Sequence, residues 1–392
     1  MSNQSVVIKE SISKSRYFSV LTGIRAIAAY MVFVSHYNPF AINSSQTPLH
    51  NWLSRFFGTF SIGVSIFFVL SGFLITFRYE ENISLSWQWV RRYVRNRIAR
   101  IYPMYFLVTL ATLIGTALNT RYDASTVWNQ YNLKDKILVS FLNFTFLRGF
   151  FDRYRYTMVG QGWSLTVEEC FYLSAPFLLL GLRGKWRRIL AYPIMIFALG
   201  LLLTAIGSTF HEQLYGFFGS VEFMLNWTFF GRCLEFVLGM GMALYLRRNP
   251  TFEVKGWRFT TLGIVWIICS MIAMVYLGRS TSAAAAAAGT SGYDAFFIKN
   301  AVLPIGIVLF FWGLIQEKTW LNRILATKTF DLLGKSSYTF YLIHVGILNF
   351  LLDDFITNNV TVKFVIINIV SIGLYKFVEH PLHLFLTKGN RR

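Results

Sequence analysis

Arg25 and His36 lie within the first long hydrophobic run of the chain, Phe18 to Tyr37. An ionisable side chain inside a bilayer is costly and marks a functional site by default. The two are eleven positions apart. On a helix with about 3.6 residues per turn, that spacing is roughly three turns plus 20°, so both side chains point the same way, roughly 16 Å apart along the axis. A base near one membrane face would then stand in line with a cation set deeper. This suits a reaction or a translocation path that crosses the membrane, not a soluble active site. An imidazole, with an unperturbed pKa of about 6.5, is suited to general-base work at neutral pH. The plain alternative is a hydrogen-bonded buried histidine.

Other segments carry chemistry of the same kind. Arg97 and Arg100, in Arg97-Ile-Ala-Arg100-Ile-Tyr-Pro103, share a helix face. Guanidinium forks bind phosphate oxygens bidentately, although the excess of basic residues on the inner face of a membrane protein would explain both without any ligand. Further on, Gly162-Trp163-Ser164 leads to Glu168, Glu169 and Tyr172 in the first turns of a hydrophobic run. A helix N-terminus favours negative charge, which accounts for one carboxylate. The second exceeds that need and points to function. Ser164, Glu168 and Tyr172 fall on one helix face, whereas Glu169 points about 100° away. His344, in Ser337-Tyr-Thr-Phe-Tyr341-Leu-Ile-His344, is a second histidine in an apolar run and by itself reads as a packing residue. Arg232 and Glu235 are three apart and read as a mutually neutralising pair.

The elements that must position these residues are membrane helices. The chain is 55% hydrophobic and 14% charged, against about 25% charged in soluble domains. Apolar runs near spanning length occur at about 18–37, 60–77, 101–118, 165–182, 189–206, 227–246, 259–277, 301–315, 338–352 and 364–378. The predicted fold is all-α, a polytopic transmembrane bundle of about ten spans. Placing the N-terminus inside puts 24 Lys and Arg on the inner segments and 8 on the outer ones, so both termini are expected to be cytoplasmic. Adding or removing one span would invert the inner clusters. The formal charge of +19 is thereby explained by topology, and nucleic acid is not expected as a partner. Cys170, Cys233 and Cys269 lie in apolar runs without metal-ligand spacing, so neither a disulfide framework nor a metal site is expected.

The predicted organisation is a cytoplasmic segment 1–17 carrying Lys9, Lys14 and Arg16, a membrane domain 18–385 and a tail 386–392. The N-terminus reads as an uncleaved signal anchor because the first apolar run is long and lacks a small-residue cleavage pattern. The longest outer segment, 119–162, ends in Arg148, Asp152, Arg153 and Arg155. Loops this long are usually functional, and it reads equally as part of an acceptor surface or as a solvated loop. The alanine-rich run 282–289 reads as a spacer.

Taken together, these segments resemble acyltransferase family 3, integral-membrane O-acyltransferases of bacteria. The matching text is Leu21-Thr-Gly-Ile-Arg25 with His36 (the family's Arg-x10-His), Gly63-Val-Ser-Ile-Phe-Phe-Val-Leu-Ser71-Gly-Phe-Leu, and Arg97-x-x-Arg100-Ile-Tyr-Pro. It continues with Gly162-Trp163-Ser-Leu-x-Val-Glu168-Glu169-x-Phe-Tyr172, Ser337-Tyr-x-x-Tyr341-Leu-x-His344 and Val378-Glu379-His-Pro381. The resemblance runs from about 18 to 385 in family order. Single motifs are weak, but six in order are specific. Departures are small: Ile343 stands where a Trp is common, and His380 stands where a basic residue or Arg often follows Glu.

The resemblance implies transfer of an acyl group, usually acetyl, from cytoplasmic acyl-CoA to a hydroxyl of an extracytoplasmic glycan, free or lipid-linked. The chain is then expected in the bacterial cytoplasmic (inner) membrane, with the lipid bilayer and the glycan as its partners. Acetyl-CoA or another acyl-CoA would be the donor substrate, and no metal is expected. Arg25, Arg97 and Arg100 would meet the donor, His36 would act as base on the acceptor, and Glu168 or Glu169 would orient the imidazole or the sugar. Ser71, Trp163, Tyr172, Tyr341 and His344 would line or support the site. Direct attack and an acyl-enzyme route both remain open. Some members carry a soluble esterase-like domain; none of that size follows Arg392, so a stand-alone member is expected. The alternative reading is a transporter of an acylated or anionic substrate, with Arg25, His36, Glu168 and Arg232 as its pathway. The absence of an internal repeat counts against it. A third is a non-catalytic membrane sensor that binds acyl-CoA without turnover.

Overall fold

The structure, a computed structural model, describes residues 17–41, 47–118, 128–183, 185–249, 256–278 and 293–388. Lys9, Lys14, Arg16, the start of the outer segment at 119–127 and the alanine-rich run lie outside the described residues. Among the described residues all regular structure is helical, and an isolated bridge joins Phe151 to Phe217. Nine described segments are long and apolar enough to cross a membrane. They coincide with nine of the ten expected spans.

The tenth differs in form. Residues 338–352 do not make one helix: Lys328–Ile343 ends, and Ile347–Phe355 begins after a short break. Gly346 sits in that break with φ +103°, a left-handed conformation that glycine adopts without steric cost. Hydrophobicity continues across the break, so the apolar run conceals it. Its consequence is to place His344 at a helix end, with its side chain and backbone turned into the protein.

The helices that form the site are numbered here in chain order: α1 (Ser19–His36), α2 (Gly63–Tyr79), α3 (Trp87–Leu118), α4 (Trp163–Leu182), α5 (Phe229–Arg248), α6 (Lys328–Ile343), α7 (Ile347–Phe355), α8 (Val360–Leu374) and α9 (His380–Thr387). Membrane helices gain little from burying apolar surface against one another, so close packing depends on small residues. A Cβ at Gly72 would stand 2.1 Å from the Phe236 carbonyl oxygen, and one at Gly239 would stand 2.0 Å from that of Val69. α2 and α5 therefore touch backbone to backbone. α1 lies against both α2 and α6. Most of the segment Val221–Arg248 is buried, whereas Trp186–Thr209 and Val360–Thr387 are mostly not. The first is central, and the other two present most of their surface outward.

One pair of opposite charges lies wholly inside the bundle. Arg232 Nε and Nη2 donate to the two Glu235 oxygens at 2.7 and 2.8 Å, Ser65 Oγ accepts from Nη2 at 3.1 Å, and both charged side chains are fully buried. This bidentate pair neutralises itself, as its spacing predicts, and removing one partner alone would strand a buried charge. Glu317 serves a neighbouring helix. Its carboxylate accepts from the backbone N–H groups of Phe259 and Thr260 and from Thr260 Oγ1, capping Arg258–Leu277 from outside.

The described part of the outer segment is folded and packed. It contains a helix, Leu133–Phe144, whose start is capped by Asn132, followed by short turns. Arg148 is fully buried there. It donates to Asn143 Oδ1 at 2.8 Å and to the carbonyls of Thr157 and Val159, tying the segment into one unit.

Candidate active site

α1 carries both opening residues, and they occupy two different environments. At its end, His36 Nδ1 lies 3.0 Å from His344 Nε2, at the break after α6. His344 is fully buried, while His36 is exposed. His344 has every polar atom engaged. Its N–H donates to Phe340 O at 3.0 Å, its carbonyl accepts from Tyr37 OH at 2.7 Å, and its Nδ1 lies 2.8 Å from Tyr341 O. The Val32 carbonyl also lies beside the His36 ring, one turn back on α1; Nε2 has no other polar neighbour among the described residues, and the exposed ring can meet solvent or a ligand there.

The outer segment supports this pair. Gln161 Nε2 donates to the carbonyls of Leu342 at 2.5 Å and Tyr341 at 3.1 Å, and reaches that of Val345 at 3.4 Å. These carbonyls are released by the end of α6, where a helix leaves its last C=O groups without internal partners. Tyr341 OH lies 2.7 Å from Ser164 Oγ and 3.2 Å from Gln161 O. Tyr341 thus joins α6 to the start of α4, one turn from His344. Trp163 stands apart from this network. Its ring is buried against Trp227 with centroids 4.9 Å apart, and its indole N–H makes no hydrogen bond among the described residues.

Three turns back along α1, Arg25 is partly exposed and forms no hydrogen bond or ion pair among the described residues. It lies in the field of Arg100, Glu168 and Glu379. Glu168 accepts from Ser71 Oγ at 2.5 Å and from Tyr172 OH. The i,i+4 spacing of Glu168 and Tyr172 produces this second bond within α4, and α2 supplies Ser71. Glu169 points elsewhere, as its position on the helix requires, and makes no hydrogen bond or ion pair among the described residues.

Arg97 and Arg100 reach the same region from α3, by different means. Arg97 Cζ lies 5.4 Å from the Tyr172 ring centroid and 5.9 Å from that of Tyr79, and its buried Nε has no hydrogen-bond partner. Arg100 Nη1 lies 3.6 Å from Glu379 Oε1, and Thr339 Oγ1 donates to Glu379 Oε2 at 2.7 Å. Glu379 occupies a π-helical turn, 375–379, between α8 and α9; such widened turns often mark functional sites.

The structure therefore separates the predicted residues into two groups. His36, His344 and Tyr341 meet at one end of α1. Arg25, Arg97, Arg100, Ser71, Glu168 and Tyr172 gather about its middle and its other end. Four participants were not assigned from sequence: Tyr37, Gln161, Thr339 and Glu379. Glu379 had a signal, as a carboxylate closing an apolar run within Val378-Glu379-His-Pro381. Gln161 had only its place before Gly162-Trp163. Among the described residues no cluster of His, Cys, Asp and Glu could hold a metal ion.

A family model described as an acyltransferase domain matches residues 18–375. A Staphylococcus aureus (strain COL) protein, named as a putative O-acetyltransferase, is 25% identical over 392 residues, covering 94% of this chain and 58% of its own. A protein named as a peptidoglycan O-acetyltransferase, from Listeria monocytogenes serovar 1/2a, is 26% identical over 357 residues, covering 85% of this chain and 50% of its own. The chain thus spans only about half the length of the curated relatives it matches. No solved structure matches it.

Proposed function

Because the chain belongs to acyltransferase family 3, we propose that it transfers an acetyl group from acetyl-CoA, bound from the cytoplasmic side, to a hydroxyl of an extracytoplasmic glycan. The observation that carries this reading is the pairing of an exposed imidazole, open at Nε2, with a fully buried histidine at the far end of the helix that holds the unpartnered Arg25. One helix then links an anion-binding region to a base. The name of the Listeria relative makes a cell-wall glycan the first acceptor to test. With both termini cytoplasmic, as the basic residues favour, Arg97 and Arg100 lie towards the donor and His36 towards the acceptor.

In the proposed step, His36 Nε2 removes the proton from the acceptor hydroxyl as its oxygen attacks the thioester carbonyl. The C–S bond breaks, the acetyl group stays on the acceptor oxygen, and the imidazolium returns its proton to the leaving thiolate. A positioned base of this kind contributes roughly 10²–10⁴-fold. The deciding experiment uses purified protein in detergent, with acetyl-CoA and a muropeptide or polysaccharide acceptor. Release of CoA thiol together with a new O-acetyl ester, without any transmembrane gradient, is expected. A protein that moves substrate across vesicles but never releases the thiol would be a transporter, and the proposal would fall.

The two carboxylates should separate in the same assay. Glu168 holds two hydroxyls beside Arg25, whereas Glu169 holds none. Glu168→Gln is expected to lower transfer by about tenfold or more, since a hydrogen bond to a charged group is worth about 1.5–3 kcal/mol. Glu169→Gln should stay within about threefold of the native rate. Near-native activity in both variants would remove Glu168 from the mechanism.

A further inference from the structure

The geometry points to His344 as the positioning residue that fixes the tautomer of His36, holding its proton on Nδ1 and leaving Nε2 as the free base. This rests on the reading of His36 as the base and adds what sets its orientation. The argument is a count of donors and acceptors. A backbone carbonyl only accepts, so His344 Nδ1, 2.8 Å from Tyr341 O, must carry a proton. A neutral imidazole protonated at Nδ1 has a lone pair at Nε2. That lone pair is 3.0 Å from His36 Nδ1, which must therefore donate. With its proton on Nδ1, neutral His36 presents an unprotonated Nε2, the atom left open at the surface of the site.

The arrangement is held from further out. Gln161 binds the Tyr341 carbonyl that fixes His344, and Tyr37 OH binds the carbonyl of His344 itself. The other titratable groups nearby are occupied. Tyr341 OH is paired with Ser164, and Lys363 is ion-paired with Asp353 while lying 5.8 Å from the Tyr37 ring centroid. No carboxylate bonds either imidazole among the described residues. The orienting partner is a neutral acceptor. It sets the tautomer without fixing a charge beside the base. When His36 Nε2 takes the acceptor proton, the Nδ1–H···Nε2 bond to His344 becomes charge-assisted and stronger, stabilising the imidazolium until its proton passes to the thiolate. His344 is not itself the base in this scheme, because it is fully buried with no polar atom free.

Two measurements test the inference. The first records ¹⁵N spectra of native protein labelled at histidine, with the His36 signals assigned by their loss in His36→Asn. A protonated Nδ1 and unprotonated Nε2 in neutral His36 are expected, and the opposite tautomer would overturn the assignment. The second compares His344→Leu, which has no acceptor, with His344→Gln, whose Oε1 can accept from His36 Nδ1. The leucine variant should lose roughly 10²-fold or more in kcat, within the range for a misplaced general base, with the KM for acetyl-CoA within about twofold of native. The glutamine variant should recover at least about tenfold of that loss. A glutamine variant no better than leucine overturns the positioning role, and the native spectrum decides the matter if either variant folds poorly. An inactive His36→Ala combined with the opposite tautomer would sink this inference alone. A fully active His36→Ala would sink the base reading and this inference with it.

Discussion

His36→Ala is expected to reduce transfer by roughly 10²–10⁴-fold, leaving membrane insertion and acetyl-CoA binding close to native. An alcohol is a weak nucleophile at neutral pH, and His36 Nε2 is the open nitrogen of the imidazole pair. The substitution removes an exposed side chain at the end of α1, so it leaves no cavity in the core. It does deprive buried His344 Nε2 of its donor. That should cost about 1–3 kcal/mol, read as a modest fall in the thermal unfolding midpoint, unless water replaces the ring. The native rate should rise with pH as the imidazole becomes neutral, because only the unprotonated form can accept a proton. Transfer, donor binding and unfolding measured on one preparation separate loss of the base from loss of the fold. Native-like transfer would remove His36 from the mechanism.

The helical architecture was legible because the bilayer demands it: uninterrupted apolar runs have few other uses, and nine of them became helices of spanning length. The site was legible in part, through charges that a membrane protein would not otherwise keep. Arg25 and His36 gave a direction along α1, and the spacing of Glu168 and Tyr172 placed them in contact. What could not be read was contact between distant segments. His36 and His344 are 308 residues apart in the chain, and neither run contains a periodic signal that joins them. The break at Gly346 was hidden for a related reason. Hydropathy averages over a window, whereas one positive φ ends a helix. Glu379 was legible as a motif residue but not as the partner of Arg100, because that ion pair closes between α3 and a turn far along the chain. Arg232 and Glu235, three residues apart on one helix, needed no such information and pair as their spacing predicts.

Arg97→Ala is expected to raise the KM for acetyl-CoA by about ten- to a hundredfold, with a smaller fall in kcat at saturating donor. Arg100→Ala should raise it less. Sequence treats the two arginines alike, three residues apart on one face, but the structure gives them unequal freedom. Arg100 is already engaged by Glu379, itself held by Thr339, so its charge is partly spent on the fold. Arg97 rests on two aromatic rings, and its Nε lacks a partner. A guanidinium held over aromatic faces keeps its fork of donors for an incoming phosphate. Losing a charge-assisted hydrogen bond to that phosphate costs about 1.5–3 kcal/mol, which corresponds to the stated change in affinity. Removing Arg100 would instead strand the buried Glu379 carboxylate, so its effect should appear more in stability than in donor binding. The measurement is acetyl-CoA affinity and thermal unfolding for both variants beside native protein. Unchanged affinity in Arg97→Ala would assign the arginine to membrane topology, leaving Arg25 as the next cation to test for the donor.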